Sequence, residues 1–109
     1  MEEQYLVTFC TTPNKQVAKK LAQILVEEHL AACCNIIPSI ISIYSWKGTV
    51  RNDQESLLVI KTTKNKFRQL EQRILENHPY EVPEIIALPI GEGNRSYLNW
   101  ISEYVEYQI

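Results

Sequence analysis

The chain is poor in the residues that build most recognisable chemical sites. Its three glycines, Gly48, Gly91 and Gly93, form neither G-x-x-x-x-G-K-[ST] nor G-x-G-x-x-G, so the two common backbone cradles for nucleotide phosphates are missing. Gly91-Glu92-Gly93-Asn94 opens a predicted helix, and an ordinary turn with a good N-cap accounts for it better than an anion site. The two histidines, His29 and His78, stand in no local catalytic signature. No nucleophile, base and orienting group can be assembled around them, so an enzyme is not expected. The three cysteines, Cys10, Cys33 and Cys34, are an odd number, and neighbours in a strand point to opposite faces. Reduced thiols are expected rather than a disulfide framework.

Charge of one sign and long apolar runs are also lacking. Eleven basic residues against 13 acidic ones leave a net charge of -2, scattered along the chain. That excludes the electrostatic footprint of a nucleic-acid or anionic-membrane binder. The longest apolar stretch, Leu30 to Tyr44, is interrupted by Cys33, Asn35, Pro38, Ser39 and Ser42, so it is not a membrane span. The acidic start Met1-Glu2-Glu3-Gln4-Tyr5 leads straight into a strand-like run, which is unlike a secretory signal, and a soluble cytoplasmic protein is expected.

What is present is ordinary globular material. The 109 residues are 45% hydrophobic and 22% charged, without repeats or low-complexity segments, and read as a single domain over 1–109. Such a domain buries a little under roughly 70% of its extended surface, so self-association would add useful burial. Leu6-Val7-Thr8-Phe9-Cys10 reads as a strand, followed by Thr12 as N-cap and Pro13 as the first helical residue. Val17, Leu21, Ile24 and Leu25 continue with helical spacing to about His29 or Leu30. Cys33 to Trp46 reads as a long strand with apolar residues on both faces, bent at Pro38-Ser39. Gly48 to Asp53 has turn composition, and Leu57 to Thr63 returns antiparallel within a third strand that begins at about Glu55. A second helix fits Lys66 to Glu76 and stops at Asn77-His78-Pro79. Pro83 to Ile90 reads as a fourth strand, and a last helix after Asn94 carries Leu98, Ile101 and Val105 on one face.

The order is βαββαβ plus a C-terminal helix. It predicts an α+β, ferredoxin-like antiparallel sheet with two helices on one face and the other face bare. Strands near a dozen residues are about twice the usual length, so the central hairpin extends beyond what one helical layer covers. Apolar strand surface of that kind calls for a partner chain.

Metal ligation is the strongest chemical candidate. A thiol and a neutral imidazole together suit copper or zinc, and Cys10 ends the first strand while His78 ends the second helix. The first and fourth strands are not expected to be hydrogen-bonded neighbours, so topology leaves open whether the two meet. Each residue also has a plainer role: Cys10 and Cys33 as small buried hydrophobes, His29 as a favourable charge at a helix C-terminus, His78 as support for the Pro79 turn. Tyr44, Trp46, Tyr80, Tyr97 and Trp100 could stack bases, and the element order is shared with an RNA-recognition module. The third strand, however, carries Leu57, Leu58, Val59 and Ile60 where stacking rings are needed, and basic surroundings are missing. Core and interface packing explains the rings better.

Four segments carry a family resemblance: Ala31-Ala32-Cys33-Cys34-Asn35-Ile36-Ile37-Pro38, Ser42-Ile43-Tyr44-Ser45-Trp46-Lys47-Gly48, His78-Pro79-Tyr80-Glu81-Val82-Pro83-Glu84-Ile85-Ile86, and Tyr97-Leu98-Asn99-Trp100-Ile101. Together they resemble the divalent-cation tolerance proteins called CutA, over essentially the whole chain. The resemblance implies a tightly packed homotrimer, an architecture akin to the PII signalling proteins, and a non-enzymatic link to metal response and copper binding. It places copper ligands at a cysteine ending the first strand and at a histidine pair before the Pro-Tyr motif, here Cys10, Asn77 and His78. Asn77 departs from that pattern, because an amide is a far poorer copper ligand than an imidazole. The doubled Cys33-Cys34 departs as well, without creating a spaced ligand pair. The alternative implied role is a PII-like scaffold holding a small anionic ligand or a partner protein in clefts between subunits.

Overall fold

The computed structural model describes residues 3–106, so the acidic Met1-Glu2 start lies outside the described residues. The elements run β1 (Tyr5–Thr12), α1 (Lys15–Glu27), β2 (Cys33–Trp46), β3 (Thr49–Thr63), a single 3-10 turn (Lys64–Lys66), α2 (Phe67–Asn77), β4 (Ile86–Pro89) and α3 (Arg95–Val105). Four antiparallel strands in the order β2-β3-β1-β4 and three helices make a mixed α+β fold.

The first and fourth strands are neighbours, contrary to the expectation from sequence: Leu6 pairs with Pro89 and Phe9 with Ile86. The reason lies in the crossovers. The β1-α1-β2 connection leaves a gap that β3 fills through the hairpin, and the β3-α2-β4 connection passes over β1 to its far side. β1 is therefore central, and the Cys10 end of β1 outruns the short β4.

Local chemistry moves several boundaries. Thr12 still pairs with Ser56, so β1 runs two residues past Cys10, and Asn14 rather than Thr12 caps the helix. Asn14 Oδ1 accepts the Val17 N–H at 2.9 Å, while the buried Thr12 hydroxyl donates to the Asn14 carbonyl at 2.8 Å. Pro13 thus sits outside α1. At the other end α1 stops at Glu27, short of the expected His29, because His29 turns to φ 59° and closes the helix without a glycine.

The hairpin turn is only Lys47-Gly48, at φ 52° and 80°, and not the polar run to Asp53. A two-residue turn with both φ positive matches the twist of the flanking strands, so β3 resumes at Thr49. Its polar start is held by the ladder, Arg51 opposite Tyr44 and Asp53 opposite Ser42. The expected bend at Pro38-Ser39 is present as a register shift between Ile37 and Ile40, with Ser39 at φ 61°. β4 is shorter than expected because Pro83 and Pro89 bracket it and its ladder with β1 covers only Leu6 to Phe9. α2 ends as expected, with His78 extended at ψ 136° before Pro79.

One sheet face packs under α1 and α2. Leu21, Leu25, Leu70 and Ile74 close over Cys10, Leu58 and Ile60, all essentially fully buried. The second face is not wholly bare. Leu98, Ile101 and Val105 of α3 pack with Tyr5 and Ala32, covering one end of it. His29 fastens that helix: its Nδ1–H donates to the Tyr104 carbonyl at 2.8 Å and its ring stacks on Tyr104 at 4.1 Å. No helix among the described residues is long and apolar enough to cross a membrane.

Candidate functional site

Cys10 and His78 do converge, and the atom they share is a backbone oxygen. Because β1 outruns β4, the loop after α2 folds over the free end of β1. His78 Nε2–H donates to the Thr11 carbonyl at 2.7 Å, and the Cys10 thiol points at the same carbonyl at 3.7 Å. His78 Nδ1 accepts the Tyr80 N–H at 3.1 Å, which settles the neutral tautomer by bond direction. Asn77 is absorbed by α2, its Nδ2 donating to the Arg73 carbonyl at 2.9 Å.

This arrangement does not fit a metal ion. The Cys10 side chain is 0% exposed, and its thiol is pushed up to about 12, first by burial and then by Glu84, Cys34 and Glu55. A ligand must be a thiolate, and this one is held protonated. Both imidazole nitrogens of His78 are already spent on the backbone. Cys34 packs into the core and is likewise pushed up to about 12 by burial, while Cys33 lies across the strand beside Lys61 and Asn35. Among the described residues no group of three or more His, Cys, Asp or Glu side chains gathers as a metal site would require.

The same loop builds a second feature, which sequence reasoning missed. The Tyr80 hydroxyl donates to the carboxylate of Glu55, a β3 residue only 6% exposed. Burial and this bond push the Tyr80 phenol upward. Tyr44 makes the equivalent bond to Asp53, which pushes its phenol up in turn. The available signal was Glu55 itself, a carboxylate abutting the apolar run of β3. Tyr80→Phe leaves this buried carboxylate without its donor. A loss of about 1–3 kcal/mol is expected, read from the urea midpoint at neutral pH.

Between the hairpin arm and the 79–84 loop lies a cleft of about 730 Å³. Asp53, Glu55, Glu81 and Glu84 line it against the single cation Arg51, with Tyr44, Trp46 and Tyr80 as aromatic walls. The apolar side chains of the arm are largely uncovered, Ile43 at the cleft wall among them. Ile41, Ile43 and Val50 are 70%, 68% and 74% exposed, and Ile37, Ile86 and Leu88 are exposed on the sheet.

Comparison with known proteins points to a family. A family model described as CutA1 divalent ion tolerance protein matches residues 6–104. The divalent-cation tolerance protein CutA of Thermus thermophilus is 54% identical over 103 residues, 94% of this chain and 97% of that protein. Protein CutA of Mus musculus is 48% identical over 98 residues, 90% of this chain but 55% of the mouse protein. The chain thus spans about half the length of the animal relative. Among solved structures, the divalent cation tolerance protein of Thermus thermophilus superposes with a TM-score of 0.90 at 53% identity, covering 92% of this chain and 97% of that one. CutA1 from Oryza sativa gives 0.90 at 46% identity, covering 93% of each chain.

Proposed function

The chain belongs to the CutA1 family of divalent ion tolerance proteins, and from that premise we propose that it acts as a non-enzymatic, PII-like homotrimer in divalent-cation tolerance. The observation that carries this is the uncovered apolar surface of the hairpin arm, Ile41, Ile43 and Val50, which one subunit leaves in water. The two sheet edges support a ring. One is the long β2 and the other the short β4, and unlike surfaces associate head to tail, closing at a small number of copies. Sedimentation equilibrium is the test: a mass three times the 12.7 kDa of the chain is expected, and a monomer at micromolar concentration overturns the assembly. Three unbridged thiols support a reducing, cytoplasmic setting.

The role in cation tolerance does not run through a chelate at Cys10 and His78 in this proposal. Copper(II) titrated calorimetrically into the trimer is expected to give the same heats for the parent chain and for His78→Ala. Saturable heat that disappears in His78→Ala restores the copper site. The scaffold alternative has support in the cleft beside the arm, which offers room for a ligand, but four carboxylates against one guanidinium oppose a small anion there.

A further inference from the structure

We propose that Cys33 and Lys61 form a peroxide-triggered covalent staple, a sulfenamide bond from Sγ to Nζ that ties β2 to β3 at the base of the hairpin. The two residues are direct partners in the β2-β3 ladder. Such cross-strand partners share a sheet face and keep their side chains within reach, and here Lys61 Nζ stands 3.9 Å from the Cys33 sulfur.

Position separates Cys33 from the other two thiols. Cys10 is 0% exposed and Cys34 packs against the same core, each pushed up to about 12 by burial. Cys33, the strand neighbour of Cys34, faces the other way and keeps a partly open surface. Three polar side chains gather on it. The thiol lies 3.9 Å from Asn35 Oδ1, and Lys61 donates to that same oxygen, which holds the amine beside the sulfur. The Tyr97 phenol of α3, pushed up first by burial and then by Cys33, completes the cluster. None of the ion pairs among the described residues includes Lys61. Its countercharge is the Cys33 thiolate, and an ammonium beside a cysteine favours the form that reacts with peroxides.

The chemistry balances with hydrogen peroxide as the oxidant. The thiolate attacks one peroxide oxygen, an S–O bond forms and the O–O bond breaks, and the released hydroxide takes a proton from the Lys61 ammonium. The freed amine then attacks the sulfenic sulfur, an S–N bond forms, and the oxygen leaves as water. One thiolate, one ammonium and one peroxide thus become one sulfenamide and two waters. A sulfenic acid commonly resolves on a second thiol, but Cys34 lies on the opposite face and Cys10 is sealed in the core, so the nucleophile at hand is Lys61. The bond closes a loop containing the whole hairpin and restricts the unfolded chain. Excess small thiol attacks the sulfenamide sulfur and restores the amine, which makes the staple reversible.

The test is intact-mass and peptide-mapping spectrometry of the full chain in its native assembly after brief exposure to dilute hydrogen peroxide at about pH 8. A loss of about 2 Da is expected, with residues 33 and 61 recovered in one cross-linked peptide, and both reverse on adding dithiothreitol. The urea midpoint should rise on oxidation and fall back on reduction. Lys61→Arg keeps the charge but offers no nucleophilic amine. It should lose the cross-link and accumulate oxygen adducts of about 16 or 32 Da on Cys33. Because the cross-linked peptide is read on the parent chain, the result does not depend on how a variant folds. Oxygen adducts on Cys33 of the parent without the cross-linked peptide overturn the staple. So does oxidation that falls on Cys10 or Cys34 first, or a mass loss that persists in Lys61→Arg.

Discussion

A chain carrying Ile41→Lys and Ile43→Lys is expected to sediment as a monomer of 12.7 kDa. The two isoleucines lie on one face of the β2 arm and are 70% and 68% exposed, so they contribute little to the fold of the single chain. If three copies associate through the arm, each buries both side chains. That burial supplies about 3–6 kcal/mol per subunit at roughly 1.5–3 kcal/mol per side chain. Lysine removes it and adds two ammonium groups that must lose water on association. The loss corresponds to at least about a hundredfold in the association constant. Lysine is also the residue that natural edge strands use to prevent pairing, so the monomer should stay folded. Leu75→Lys is the control. Leu75 is 49% exposed on α2, away from the arm, and should leave the mass unchanged. A double variant that keeps the mass of the parent assembly removes the arm from the interface.

The second large effect is alkaline. Stability is expected to fall steeply above about pH 9, because the thiols of Cys10 and Cys34 are pushed from an ordinary 9.0 to about 12 by burial. In the unfolded chain they ionise near 9, and in the folded chain they stay protonated. The unfolded state therefore binds fewer protons in this window, and the free energy of unfolding declines as pH rises. The stabilising contribution is whole below about 9 and exhausted near 12. Each fully buried thiol contributes a slope of about 1.4 kcal/mol per pH unit. Cys10, at 0% exposure, should carry its full share, and the half-buried Cys34 less. Urea midpoints of the parent and Cys10→Ala between pH 8 and pH 11 decide it. The variant starts lower for lost packing but should run flatter. Parallel curves would mean that Cys10 ionises as readily inside the fold as outside it.

The Cys10 and His78 pair shows where sequence legibility ended. Both residues were identifiable as candidates from their ligand chemistry and from the family resemblance; His78 does follow directly on α2, but β1 runs two residues past Cys10. What they do there was not readable. A thiol and an imidazole are metal ligands only while their lone pairs are available, and availability depends on which backbone groups the fold brings to them. Here the Thr11 carbonyl and the Tyr80 N–H take that capacity. The cleft was illegible for a similar reason. Glu55 and Tyr80 are 25 positions apart, and nothing local in either segment announces the other.

The errors in the elements have equally specific causes. The run Gly48 to Asp53 reads as a turn by composition, yet from Thr49 onward it is strand because the turn uses only Lys47 and Gly48. The side chains of that run did not decide the matter; its ladder with Ile41 to Trp46 did. The separation of β1 and β4 was misjudged because adjacency belongs to the crossovers, which no single segment encodes.

By itself the sequence determined the element order, the helical faces, the bend at Pro38-Ser39 and the surplus of apolar strand, since each follows from short-range periodicity and backbone restriction. Tertiary structure alone decided that β1 is central and that Cys10 is sealed beneath α1 and α2. It also decided that His78 is bonded to backbone and that Glu55 is buried at a cleft wall, bonded to Tyr80. Those are matters of which distant groups meet and how much water is left between them. Only the packed chain settles that, because desolvation and long-range pairing are absent from any stretch of sequence taken alone.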